Sequence, residues 1–235
     1  MSESAQLDAG ELRQLLQTAP GQAHGQLLAA ARAGHGASQL AVAQAYLEGI
    51  GCARDAQEAV YWFQQAAHQN ESAAMNMLGR CYENGWGASV DYALAAVWYR
   101  RAAEHGSDWG RYNYAHVLAN GRGVPRDRAQ AFVYFGLAAA AGHARAMHFL
   151  GQYHEHGWET PADLGKARAL YRRSAEAGDY RGQCSWASFL AEEGRIGEAS
   201  ALLRSALVAA PAYFAVALRE QLRHSRHHEL RSLVD

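Results

Sequence analysis

Glycine pairs separated by one residue recur every 36 residues in this chain, at Gly49/Gly51, Gly85/Gly87 and Gly121/Gly123, with a fading fourth copy at Gly157/Glu159. A self-similar interval of this length marks a repeat protein, in which each unit is one supersecondary element that buries its apolar face only against its neighbours. Other positions hold the register. Asp55, Asp91, Asp127 and Asp163 keep it, as do Ala59, Ala95, Ala131 and Ala167 and the aromatics Phe63, Tyr99, Phe135 and Tyr171. Each aromatic is followed by a small pair, Ala66/Ala67, Ala102/Ala103, Ala138/Ala139 or Ser174/Ala175, which reads as a helix–helix contact point.

A second series, Gly34, Gly106, Gly142 and Gly178, with Asn70 in the remaining slot, falls where a helix should stop, since Gly and Asn accept the left-handed conformation. In the second unit, Ala74 to Tyr82 carries apolar residues at helical spacing, Gly85-Trp86-Gly87 interrupts it, and the pattern resumes at Asp91, which suits an N-cap. From there Tyr92, Ala95, Ala96, Trp98, Tyr99, Ala102 and Ala103 form a broad apolar stripe with Arg100, Arg101 and Glu104 set against it. Each unit therefore reads as a helix–loop–helix hairpin.

The pattern A-x-x-x-L-G-x-x-Y-x-x-G-x-G, then Asp, then A-x-x-W-Y-x-x-A-A-x-x-G, resembles the Sel-one-like repeat, a relative of the tetratricopeptide repeat. The match spans about residues 36–179. It is fullest in the second unit; the third puts Tyr114, Ala115 and Leu118 at the Leu-Gly-Tyr positions, and the fourth keeps Leu150-Gly151 but has His154 in the tyrosine slot. The resemblance implies an all-α fold, a right-handed superhelical solenoid of antiparallel helix hairpins. The expected organisation is one continuous solenoid: a degenerate opening hairpin over 1–35, broken at Pro20-Gly21, then repeats at 36–71, 72–107, 108–143 and 144–179. A tetratricopeptide-like unit follows at 180–213, with a short hinge over Glu193–Gly197, and a capping helix at 214–235.

Composition supports this class. Of 235 residues 49% are hydrophobic, enough for a continuous core, and no β-branched run bounded by turns suggests a strand. A formal net charge of −1 supplies no field to draw the chain to nucleic acid or an anionic membrane, so neither is expected as a partner. Residues Met1–Asp8 lack the basic start and apolar core of a secretory signal, and no run of 18 apolar residues could span a bilayer. A cytoplasmic protein is expected, and the resemblance implies a bacterial one. The three cysteines, Cys52, Cys81 and Cys184, occupy unrelated repeat positions, whereas the resemblance's secreted cysteine-rich branch pairs two in every unit; they read as reduced thiols.

In tetratricopeptide solenoids the first helix of each unit lines the concave face, and the resemblance carries that expectation here. Projection at 3.6 residues per turn puts Asn76, Arg80, Glu83 and Asn84 off the buried stripe of the second unit. In later units it selects Trp109, Tyr112, His116 and Asn120, then Arg145, His148, Gln152, Glu155 and His156, then Arg181 and Ser188. Asn and Arg can hydrogen-bond an extended peptide, while Trp and Tyr offer large contact area at small entropic cost. The competing reading is a set of ordinary solvated positions, with Trp109 covering a neighbouring hairpin.

Twelve histidines invite a metal-site reading around His148, His154 and His156, but positions one and two apart on a helix do not converge on one ion, and His154 should pack in the tyrosine slot. The tail from Leu218 to His228 reads as one helix whose Leu218 and Leu222 cap the last unit and whose His224 and His228 share a basic face. That face is either solvated or a pH-sensitive or anionic docking strip.

No nucleophile elbow, Walker loop, dinucleotide fingerprint or H-E-x-x-H motif is present, so no enzyme activity and no cofactor are expected. The leading expectation is a non-catalytic adaptor or scaffold that binds another protein or peptide on its concave face. The alternative is an enzyme-associated or metal-dependent accessory protein using the His148/His156 region.

Overall fold

A computed structural model describes residues 18–234. Among them every regular element is helical, no strand occurs, and no helix is long and apolar enough to cross a membrane. The chain divides into two compact units, residues 1–126 and 127–235. The first contains α1 (Pro20–Arg32), α2 (Gly36–Glu48), α3 (Ala56–His68), α4 (Ser72–Asn84), α5 (Tyr92–Glu104) and α6 (Asp108–Asn120). The second contains α7 (Arg128–Ala140), α8 (Ala144–His156), α9 (Leu164–Glu176), α10 (Tyr180–Glu192), α11 (Ile196–Ala209), α12 (Ala212–Arg223) and α13 (His228–Arg231). Of the opening hairpin expected over 1–35 the structure describes α1, and residues 1–17 lie outside the described set.

The aspartates explain where each second helix begins. Asp55, Asp91, Asp127 and Asp163 are the N-caps of α3, α5, α7 and α9, and their carboxylates accept backbone N–H groups of the first turn, as Asp91 Oδ1 does from Leu94 at 2.9 Å. The backbone N–H of Asp91 also donates to the Tyr82 carbonyl at 2.9 Å, and those of Asp55 and Asp163 donate to Tyr46 and His154 in the same way. One residue thus closes the loop behind it and starts the helix ahead.

Helix ends follow equally local chemistry. Gly106 takes φ 85°, its N–H donates to the Ala103 carbonyl, and the Ser107 N–H reaches back to Ala102, the paired bonds of a Schellman stop. Asn70 does the same job at φ 63°.

The second glycine of each pair is explained by packing. A Cβ on Gly87 would overlap the carbonyl of Ala56, the first residue of α3, and Gly51 and Gly123 stand in the same relation to Pro20 and Tyr92. Each loop therefore rests directly on the first turn of the preceding second helix. Glu159, at φ 57°, holds the left-handed turn of the fourth copy with a side chain that forbids so close an approach.

The apolar stripes meet as the register requires. In the first unit Val42, Phe63, Met75, Leu78 and Cys81 are buried in one cluster; burying a side chain such as Phe63 contributes about 2–3 kcal/mol. In the second unit Ala187, Leu190, Ala199, Leu203, Leu218 and Leu222 form another. Two pairs of first helices touch directly, α4 on α6 and α8 on α10, whereas α2 with α4, like α3 with α5 and α7 with α9, has no comparable contact. Within each unit the first helices therefore form the inner layer and the second helices the outer one.

The C-terminal segment departs from the single helix expected over Leu218–His228. Leu218 and Leu222 are buried as expected, but α12 ends at Arg223 and α13 starts at His228, so His224 and His228 do not share a helix face. Ser225 causes the break. Its hydroxyl accepts the His227 N–H at 3.2 Å and its carbonyl accepts Arg231 Nη1 at 2.7 Å, local bonds that compete with helix, while Leu230 folds back into the core. The hinge before α11 is also two residues shorter than expected, since Ile196 and Gly197 already belong to the helix.

Candidate functional site

The inner layer is made of first helices, so the residues projected off their buried stripes fall into two groups according to depth. Asn76, Tyr112 and His148 are only 7%, 8% and 6% exposed. Asn76 Oδ1 accepts from Asn113 Nδ2 at 2.8 Å, joining α4 to α6. His148 Nδ1 lies 3.4 Å from Ser185 Oγ, joining α8 to α10 at the same register. The Asn76 and His148 side chains hold neighbouring repeats together. Sequence projection missed that, because helical phase gives direction but not depth. The signal available was the spacing of 37 residues common to both pairs.

Glu83 and Glu155 are half-buried and accept hydrogen bonds from Tyr99 Oη at 2.7 Å and Tyr171 Oη at 2.6 Å. Burial and the neighbouring carboxylate both push the two phenols far above their usual pKa, so they stay donors. Arg122 adds a 3.2 Å contact to Glu83 and lies over the Tyr92 ring at 4.1 Å. Asn84 and Asn120 donate to carbonyls one turn back on their own helices, Arg80 O at 2.9 Å and His116 O at 2.7 Å. Both amides finish a helix while remaining exposed.

The remainder face outward from the inner layer. Arg80 is exposed on α4 and stacks on Trp86 at 5.0 Å; Trp109, 49% exposed, stands edge-on to Tyr112 on α6, with His116 one turn further along. In the second unit Arg145 and Gln152 are half-buried on α8, His156 is exposed beside Trp158 at 4.7 Å, and Arg181 on α10 lies over the Tyr180 ring at 4.4 Å. Arg145 also lies 4.0 Å from the buried carboxylate of Asp179, the N-cap of α10. Trp109, Arg145 and Arg181 occupy one register of successive first helices.

This surface offers recognition chemistry. Burial pushes the Cys81 and Cys184 thiols up to about 11 and about 12, which keeps them protonated and poor nucleophiles. His148 is held down to about 4 by burial and by the Arg181 charge, and packs on Tyr171 and Phe149. His156 turns instead to Trp158 and Glu155, so the structure does not bring the two histidines of the proposed accessory site together. His154 packs edge-on against Phe132 at 5.7 Å, as its slot requires. Among the described residues no three His, Cys, Asp or Glu side chains are placed to hold a metal.

Comparison with known proteins agrees with this geometry. A protective antigen from uropathogenic Escherichia coli with an SLR fold superposes with TM-score 0.72 at 28% identity, over 92% of this chain and 47% of its own, so the chain spans about half the length of that relative. A Sel1 repeat protein from Oxalobacter formigenes superposes with TM-score 0.75 at 26% identity, over 88% of both chains. An immunity protein from Pseudomonas aeruginosa, at 20% identity and TM-score 0.52 over 93% of this chain and 84% of its own, shares the fold alone. No curated protein sequence matches the chain. The model of the Sel1 repeat matches residues 36–71, 72–107, 110–143 and 144–179, more than half of the sequence, and with hairpins of this construction the chain belongs to the Sel1 repeat family.

Proposed function

We propose that the protein is a non-catalytic adaptor that binds a partner protein or peptide on the inner layer of first helices. Sel1 repeats typically mediate protein–protein interaction. The observation that carries the reading is the exposure of Arg80 and Trp109 on adjacent, directly packed inner helices, where they point away from the core that closes the hairpins. Exposed Trp and Arg are the residue types that dominate binding energy in protein interfaces. Gln152, Arg145 and Arg181 supply the corresponding surface in the second unit.

The test is affinity capture with the intact protein, followed by titration of the identified partner in purified form. Arg80→Ala combined with Trp109→Ala should weaken that partner about a hundredfold, the sum of two losses of about 1.4 kcal/mol each. Tyr61→Ala combined with Val97→Ala, on the exposed side of the outer helices α3 and α5, should leave it unchanged. The reverse pattern would move the interface to the outer layer.

A further inference from the structure

The inner layer of the second unit ends in a cavity. It has a volume of about 340 Å³ and lies between α10 and the α12–α13 corner. Its α10 wall includes Cys184, Ser188 and Glu192, which sit three periods of 36 after Asn76, Arg80 and Asn84 and so continue the register of the inner surface. The floor is apolar, made by Leu203, Leu218, Leu222 and Leu230, all buried. The break after Arg223 supplies the far wall, where Ser225, Arg226 and His227 line the space. An unbroken helix would not have turned these residues into it.

We propose that this cavity receives the C-terminal end of a bound peptide, with its last apolar side chain on the leucine floor and its terminal carboxylate on Arg226. This rests on the inner layer being the binding surface. The volume sits at the small end of ligand sites, room for the last two or three residues of a chain. The charge selects the end. Arg226 is exposed, donates through Nε to His227 Nε2 at 3.0 Å, and has no carboxylate partner among the described residues, which leaves both terminal nitrogens of its planar fork to pair with a carboxylate. Gln221 at the end of α12 and His224 and His227 of the turn are further donors in the lining, although His224 Nε2 already meets Glu220 at 3.1 Å. Glu192, the acidic side chain of the lining, is an acceptor for the ligand's backbone N–H groups.

The experiment uses the full chain and a pooled library of fluorescein-labelled hexapeptides ending in Leu, Ile, Val or Phe, made with free and with amidated C-termini and read by anisotropy. Free acids should bind saturably, and amidation or Arg226→Ala should each weaken them about tenfold without adding to one another. Ser188→Trp, which fills the mouth from an exposed position, should abolish binding, whereas Tyr61→Ala with Val97→Ala, on the exposed side of the outer helices, should leave it intact. Equal binding of acids and amides, unaffected by Arg226→Ala, overturns the proposal and leaves the inner surface standing as a peptide site. Absence of saturable binding at millimolar protein also overturns it, and capture of a partner sensitive to the Arg80/Trp109 pair would then show that the adaptor reading survives alone. Full displacement of the acids by decanoate at lower concentration than by unlabelled peptide would reassign the cavity to an acyl chain.

Discussion

The hairpin of α4 and α5 and the hairpin of α8 and α9 are built from the same parts, yet differ at three places that matter. Both set a tyrosine of the second helix against a glycine of the first, Tyr99 on Gly79 and Tyr171 on Gly151, and both give that phenol a glutamate, Glu83 or Glu155. But Asn76, Tyr82 and Gly87 of the earlier hairpin become His148, His154 and Glu159 in the later one. The comparison separates the framework that the two hairpins share from positions where a polar joint or a loop is rebuilt. It also shows how two repeats of one design acquire different pH behaviour, since the joint to the next first helix is an amide in one and an imidazole in the other.

Substituting Gly87 should break the comparison most severely. Gly87→Ala adds a Cβ where the Ala56 carbonyl stands, at φ 71°, and urea unfolding should show a loss of about 4 kcal/mol. Glu159→Gly at the equivalent site should cost nothing and relieve the left-handed backbone by about 1 kcal/mol.

Acid comes next. His148 is neutral in the fold down to about pH 4 but takes up a proton near 6.5 when unfolded, so its contribution is intact above about 6.5, declines as pH falls toward about 4, and is flat below. The full swing is about 3 kcal/mol at most. Unfolding midpoints measured across this range should show His148→Asn, which restores the residue of the earlier hairpin, with a flatter profile than the wild type; an unchanged slope would assign the acid sensitivity elsewhere.

Removing the phenol hydroxyls should give a smaller, graded effect. Tyr171→Phe should cost about 2 kcal/mol and Tyr99→Phe about 1 kcal/mol, because Glu83 keeps Arg122 while Glu155 keeps only the 3.9 Å approach of His156. Equal losses would show that Arg122 does not support Glu83. Smallest of all, His154→Tyr should raise stability by less than about 1 kcal/mol in the same assay, since it removes a buried Nδ1 that has no hydrogen-bond partner.

Much of this architecture was legible because the repeat period isolates backbone chemistry. Asp91, Gly106 and the Gly85/Gly87 pair each do a job that only one or two residue types can do, so their recurrence marked the helix starts, the helix stops and the tight loops. The inner surface was legible in direction only. Asn76 and His148 have the same helical phase as an exposed residue would, and their burial depends on the neighbouring helix that supplies Asn113 or Ser185.

A finer pattern was present but easily passed over: Tyr99 and Tyr171 accompany Gly79, Gly151, Glu83 and Glu155, whereas Phe63 and Phe135 accompany Ala43, Ala115, Leu47 and Ala119. A hydroxyl needs an acceptor and a ring tip needs clearance, so this combination recurs at every second hairpin within the 36-residue register. The tail was misread because Ser225 competes for its backbone only once Leu230 has a core to return to.

Hydrogen exchange on the intact protein with and without its purified partner tests the central claim most directly. Protection gained along the first helices, α4 and α6 in one unit and α8 and α10 in the other, is the expected result. Protection gained instead along α3, α5, α7 and α9, with the first helices unchanged, would contradict it.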